Sequence, residues 1–200
     1  MPALITPTTE LEAVNECLEN IGQAPVSTIS GNLGVDTQIA LNFVTKVNRE
    51  LQAKGWFWNT EVNYPLIPNG DGDILLPANT LAVDSVGVDG HRNVIQRGRR
   101  LYDRDNRTYT FTSPVNAEIT LGLSFNELPE TARRYVALRA ARFFQDRIEG
   151  SVSENDSRDE MDALSDLKAE QLRVEDHNVL TGSSLVYGIV NRRHTTYPTY

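Results

Sequence analysis

The sequence predicts an α+β protein: a four-helix bundle with a small antiparallel β domain inserted between its second and third helices, followed by an extended C-terminal arm. Three observations predict this. Apolar residues recur at helical spacing at 11–21 and 39–51, and again at 136–148 and 161–174. Between these pairs lie about 70 residues with the β-branched and aromatic character of short strands. The last 23 residues, 178–200, carry no regular pattern. The expected division is therefore 1–56 with 126–177 for the helices, 57–125 for the β insertion and 178–200 for the arm.

The first helix opens at Thr9, whose hydroxyl can cap the backbone while Glu12 reaches back in a capping box. Leu11, Val14, Leu18 and Ile21 share one face, and Gly22 supplies the stop. The second helix takes Asp36 as its N-cap, carries Ile39, Phe43, Val44, Val47 and Leu51 inward, and ends near Gly55. Pro25 and Gly31 mark the connection between the two. Strands are expected at 61–67, 81–88, 108–112 and 117–123, with turn signals at 68–73, 89–90, 103–106 and 113–114. That spacing favours a small antiparallel sheet or barrel, and no βαβ unit is visible. Pro129 suits a first helical turn, and Val136, Ala140, Phe143, Phe144 and Ile148 form a stripe that runs to Gly150. Ser153 with Asp156 opens the last helix, where Met161, Leu164, Leu167, Leu172 and Val174 cover about half the circumference. Four matching faces imply one bundle from which the β part projects.

Composition agrees with an ordinary soluble globular protein: 40% apolar and 23% charged residues, with a mean hydropathy of −0.38. At 200 residues, one compact body with an insertion is expected rather than two independent domains. The N-terminus has no basic start and no apolar core of signal-peptide length, and no apolar run approaches the ~18 residues of a membrane span. The expectation is a protein neither secreted by that route nor inserted in a membrane. Cys17 stands alone, which excludes an intrachain disulfide and a four-cysteine zinc site and fits synthesis in a reducing compartment.

A formal charge of −8 argues against a protein that grips phosphate over most of its surface. The charge is nevertheless segregated. Residues 149–176 hold ten acids against three bases, a balance of −7, whereas Arg92, Arg97, Arg99, Arg100, Arg104 and Arg107 face only Asp103 and Asp105, a balance of +4. The arginines could touch nucleic acid or an acidic neighbour, or form a solvated surface balanced by the acidic fourth helix of the same or an adjacent subunit. The tail, with Leu180, Leu185, Val186, Tyr187, Ile189 and Val190, is too apolar for a solvated linker. It either packs back on its own subunit or is an arm that orders on a partner.

Chemical motifs are scarce. His91, His177 and His194 are isolated from any second ligand at metal-binding spacing and read as surface histidines. Asn69, Asp71 and Asp73 copy the start of a calcium loop, but Ile74 stands where glycine is needed and Thr80 where the bidentate glutamate belongs, so the segment reads as a polar turn. Gly31 to Gly34 lacks the lysine and hydroxyl of a phosphate loop, and no nucleophile elbow occurs. No catalytic, cofactor or metal residue is assigned. The remaining enzymatic alternative is a glycan hydrolase acting on capsular polysaccharide or peptidoglycan, for which two of the 27 acids would suffice and Trp56, Trp58 and Tyr64 could stack on sugars. The better reading of Trp56 and Phe57 is apolar filler where helix gives way to sheet.

Several segments, in order and spacing, resemble one family: Ala13-Val14-Asn15, then Ile21-Gly22-Gln23-Ala24-Pro25-Val26-Ser27-Thr28, Val47-Asn48-Arg49, Gly55-Trp56 and Phe57-Trp58-Asn59. Tyr102-Asp103-Arg104, Glu127-Leu128-Pro129-Glu130 and Arg142-Phe143-Phe144 extend the likeness over nearly the whole chain. The chain resembles the tail tubular protein A family of short-tailed bacteriophages (podoviruses), the adaptor between portal and nozzle. The resemblance implies a virion structural protein made in the host bacterial cytoplasm, with no enzyme activity and no cofactor. It implies a dodecameric ring around the channel through which double-stranded DNA passes without sequence recognition. Its partners would be the portal protein, the nozzle protein (tail tubular protein B) and the tail fibre protein. The arm residues expected on the portal are Leu180, Leu185, Tyr187, Ile189, Arg192, Arg193, Tyr197 and Tyr200; Arg97, Arg99, Arg100 and Arg104 are expected on the nozzle and fibre platform or at a subunit contact.

Overall fold

The computed structural model describes residues 6–150 and 154–182. Its class is α+β, with four helices and small antiparallel sheets among the described residues.

Helix α1 spans Glu10–Asn20 and begins as its sequence dictates. The Thr9 hydroxyl accepts from the Glu12 amide at 3.2 Å, and the Glu12 carboxylate accepts from the Thr9 amide at 2.7 Å. These bonds hold the Glu12 carboxyl below its usual range, so the cap is complete above that range and is lost on acidification. Ala13, Val14, Cys17 and Leu18 are buried. Asn15 then clamps the connection to the next helix, donating to the Val26 carbonyl at 3.0 Å and accepting from its amide at 2.8 Å.

Helix α2 spans Val35–Gln52 and is capped by Gly34, not by Asp36. The helix starts two residues earlier than expected; Asp36 sits inside the first turn, where its charge complements the exposed amides without a capping bond. Ala40, Val44, Val47 and Leu51 are buried, while Ile39 and Phe43 are only partly covered.

Helix α3, Glu130–Glu149, packs against α1, α2 and the last helix, α4 (Glu154–Gly182). Its buried side chains include Ala132, Ala137, Ala140 and Ala141, small enough for three neighbours to approach one helix closely. Pro129 serves as the N-cap, one position outside the first turn expected for it, and Gly150 closes the other end at φ 71°. The expected stripe fails at its last member, since Ile148 is 47% exposed.

Helix α4 corrects the sequence reading twice. Its inward face is Glu160, Ala163 and Leu167, whereas Met161 and Leu172 are 70% and 60% exposed. The cause is ionic. Glu160 accepts from Arg139 at 2.6 Å and also from Arg142, so two guanidiniums of α3 draw that face of the helix inward. The helix also continues to Gly182, past residue 178, where irregular structure was expected. Ser153, read as part of the opening of this helix, lies outside the described residues.

The β part contains β1 (Thr60–Leu66), β2 (Thr80–Ser85), β3 (Val94–Arg97), β4 (Arg100–Asp103) and β5 (Val115–Leu121). Strand β5 is central in an antiparallel sheet of order β1-β5-β2, and β3 pairs with β4 in a separate hairpin. The expected strand at 108–112 is not formed; Thr108 and Thr110 make only isolated bridges, to Asp103 and Asp73. Local polar bonds compete with the ladder there: the Thr108 hydroxyl accepts from the Thr110 amide, the Asp103 carboxylate accepts from the Asp105 and Asn106 amides, and Arg107 has φ 53°. The β3–β4 hairpin was missed because arginines obscure its alternation. Gly98, at φ 63°, makes its two-residue turn between the paired Arg97 and Arg100.

Two apolar clusters result. One joins the helices with Trp56, Phe125 and Leu128. The other lies among the strands and includes Leu66, Ile74, Leu76, Leu101, Phe111 and Val115. Between them sits a buried polar knot. Gln52, 2% exposed, donates to the Leu123 carbonyl at 2.9 Å and accepts from the Leu123 amide at 2.6 Å. Asn59, 3% exposed, donates to the carbonyls of Gln52 and Leu121 and accepts from the Trp56 amide.

Replacing Gln52 by Leu leaves the Leu123 amide and carbonyl without their partner, with an expected loss of about 3 kcal/mol. Urea unfolding followed by tryptophan fluorescence measures it. Glu160→Gln removes the charge between Arg139 and Arg142; about 2 kcal/mol is expected, below the range for a fully buried pair because both arginines keep some contact with water.

Candidate assembly surfaces

The structure splits the arginine group. At the turn of the β3–β4 hairpin, Arg97 lies over the Tyr102 ring at 3.6 Å from its centroid, and Tyr102 meets Tyr109 edge-to-face at 4.8 Å. Arg100 covers Tyr109 at 4.2 Å and pairs with Asp73. These four side chains form a ladder in which each guanidinium rests on a ring. Arg99 is exposed beside it, reaching the Leu76 carbonyl at 3.4 Å. Leu75, 59% exposed, is bridged to Arg100 through the backbone.

Arg104 follows the far end of β4, about 13 Å along the strand from the turn. It is exposed, as is Arg107. Arg92 is committed to the fold, bound to Asp89 at 3.1 Å and to Ser113 at 3.1 Å. The turn end therefore gathers Arg97, Arg99, Arg100, Tyr102, Tyr109 and Leu75 on one surface, a composition suited to protein contact. Sequence reasoning found the arginines but not the tyrosines or Leu75. The signal for the tyrosines was a pair seven residues apart, Tyr102 inside the basic run and Tyr109 just past its end.

The acidic segment is less free than its count suggests. Glu160 is neutralised by α3, and Glu170 accepts from the Thr131 hydroxyl. Asp159, Asp162 and Asp166 remain on the exposed surface of α4. Of the arm residues, Leu180 belongs to the last turn of α4, and Leu185, Tyr187, Ile189, Arg192, Arg193, Tyr197 and Tyr200 lie outside the described residues.

Asn69, Asp73, Ile74, Trp56 and Tyr64 have structural roles. Asn69 accepts from the amides of Asp71 and Asp73, making a polar turn, and Asp73 faces Arg100. Ile74 is 1% exposed in the strand cluster. Among the described residues, no group of three or more His, Cys, Asp or Glu is gathered where it could hold a metal. Trp56 is buried, stacks on Trp58 at 6.5 Å and donates to the Leu51 carbonyl, so its ring is not open to a sugar. Tyr64 packs on the strand cluster. Burial pushes the Cys17 thiol up to about 12, which leaves no nucleophilic thiolate near neutrality. His91 is exposed, His177 belongs to α4 and His194 lies outside the described residues.

Arg100→Ala should cost about 1 kcal/mol in urea unfolding, because the pair with Asp73 is partly exposed and one ring contact is lost. Arg104→Ala should change stability by less than about 0.5 kcal/mol.

No helix among the described residues is long and apolar enough to cross a membrane. The family profile for "Tail tubular protein" matches residues 11–177, which include all four helices and every strand except for the first residue of α1 and the last turn of α4. Tail tubular protein A of Klebsiella phage KP34 is 36% identical over 128 residues, which cover 64% of this chain and 67% of that protein. The chain belongs to the tail tubular protein family, structural components of the phage tail and not enzymes.

Proposed function

We propose that this protein is the adaptor of a short phage tail, a dodecameric ring that joins the portal to the nozzle and fibres and surrounds part of the DNA ejection channel. The family match over residues 11–177 carries this reading. In the proposed arrangement, 1–56 and 126–177 form a helical bundle, 57–125 an inserted β domain and 178–200 an arm that orders on the portal. The separate apolar clusters of helices and strands support that division. The Arg–Tyr surface at the β3–β4 turn supports contact with the nozzle protein or the fibre protein, both of which need a protein-binding face at the β end.

Acidic side chains facing the bore would repel DNA phosphates, so that the duplex passes without sequence recognition and without adhering. Asp159, exposed on α4, is a candidate. Arm contacts that are individually modest would gain strength by repetition around the ring. Synthesis in the host bacterial cytoplasm and incorporation into the virion tail follow from the same reading.

Mixing the full chain with its cognate portal ring should yield a closed ring stacked coaxially on the portal, visible by negative-stain electron microscopy and weighed by native mass spectrometry. Removing 178–200 should leave the cooperative unfolding of the remainder intact and abolish portal attachment. A persistent monomer that ignores the portal would overturn the adaptor reading.

A further inference from the structure

Two strips on different helices carry apolar side chains that the core does not cover fully. On α2, Val35, Ile39, Asn42 and Lys46 follow a 4-3-4 spacing, and Val35 is 76% exposed. On α4, Met161, Ser165, Lys168 and Leu172 follow the same spacing, with Met161 and Leu172 70% and 60% exposed. Such spacing keeps side chains on one face, and each strip is about 16 Å long.

The α2 strip borders a groove. Ile39 and Phe43 line it together with Ile148 from the end of α3, enclosing about 450 Å³, and Lys46 and Arg147 supply positive charge at its rim. Phe43 is braced edge-to-face against the buried Phe144 at 6.1 Å. Lys46 makes an exposed contact with Glu50 at 3.9 Å. The α4 strip contains one cation, Lys168, but its flank is acidic, because Asp162 and Asp166 stand one residue beyond Met161 and Ser165 and border it with carboxylates. Their exposure leaves them able to meet a cation. Within one chain the strips cannot meet in this way, since α2 and α4 each pack their other faces on α3.

We infer that the α4 strip of one copy docks along the α2 groove of a second copy, Met161 and Leu172 against Val35, Ile39 and Ile148, with Asp162 and Asp166 approaching Lys46 and Arg147. The occupant is a second copy because one chain presents both an apolar groove rimmed by Lys46 and Arg147 and exposed apolar side chains, Met161 and Leu172, flanked by Asp162 and Asp166. Glu160 lies opposite Arg139 and Arg142, which sets Met161 within about 15 Å of Ile148 along α3. The Met161 end of the strip thus lies nearest the height of the groove, while the Thr131–Glu170 bond places its Leu172 end toward the start of α3. A contact between two different surfaces is head-to-tail and repeats, closing into a ring when the rotation allows. This inference rests on the ring proposed above and adds its contact surfaces.

Two full-length proteins test it, one carrying Ile148→Cys and the other Met161→Cys, with distinct tags. Both positions are exposed, and the native Cys17 is 0% exposed, so it stays silent. Mild oxidation of the mixture should give a disulfide between the two differently tagged chains in clear excess over either same-tag product. Separately, Asp162→Lys with Asp166→Lys should weaken self-association in sedimentation by about tenfold or more, and adding Lys46→Glu with Arg147→Glu should restore it. Unbiased cross-linking together with unchanged association of the charge-reversed protein overturns this contact. If those results accompany normal rings on the portal, the adaptor reading stands and only the contact surfaces fall. If the wild-type chain forms no assembly alone or on the portal, both fall.

Discussion

The arrangement of this molecule depends on the knot formed by Gln52 and Asn59. A helix ends, a strand begins, and the chain returns from the sheet 71 residues after Gln52, all at one buried place. Two buried amide side chains take up the backbone groups that neither the helix nor the sheet can satisfy. An unpaired buried amide or carbonyl costs on the order of 1–3 kcal/mol, so this geometry is strongly specified. Trp56 reinforces it by giving its ring to the helical cluster and its indole N–H to Leu51. The segments Gly55-Trp56 and Phe57-Trp58-Asn59, which carry part of the family likeness, are therefore segments with a structural duty.

Helix α3 is the second organising element. Its alanines permit close approach on several sides, and its arginines decide how α4 is rotated. A carboxylate at the centre of a helix interface needs its charges met, and Glu160 meets two. With Glu160 turned inward, Met161 cannot be. The exposed apolar strip of α4 is thus a direct consequence of an ion pair on its neighbouring residue. The charge segregation of the chain has the same logic: acids that fold the protein are paired, and those on the outer faces of α4 are left for solvent or for other molecules.

The sheet part shows how short polar segments escape a periodicity reading. Residues 108–112 contain β-favouring side chains, but Asp103 and Thr108 bind nearby amides and hold the backbone in turns. Half of the side chains in β3 and β4 are polar or charged, yet Leu101 and Val94 anchor the hairpin to the strand cluster. The arginines were legible as a charged run because charge is a property of composition. The ladder with Tyr102 and Tyr109 was not, because Tyr109 is outside the hairpin and reaches it only through the fold.

By itself the sequence determined what depends on neighbours a few residues away: the capping box at Thr9, the start of α3 after Pro129, the stop at Gly150, and the α+β class that follows from two periodicities. The order and spacing of its motifs also pointed to the family. The sequence also placed most of the inward residues of α1, α2 and α3, whereas tertiary structure decided which face of α4 is inward, because the Glu160 ion pair draws a different side of that helix onto α3. Tertiary structure also decided which arginines share a surface, since strand pairing brings together residues that no local rule connects. Packing energy is set by the partner a side chain finds, and for Glu160, Gln52 and Asn59 those partners lie on other elements of the fold.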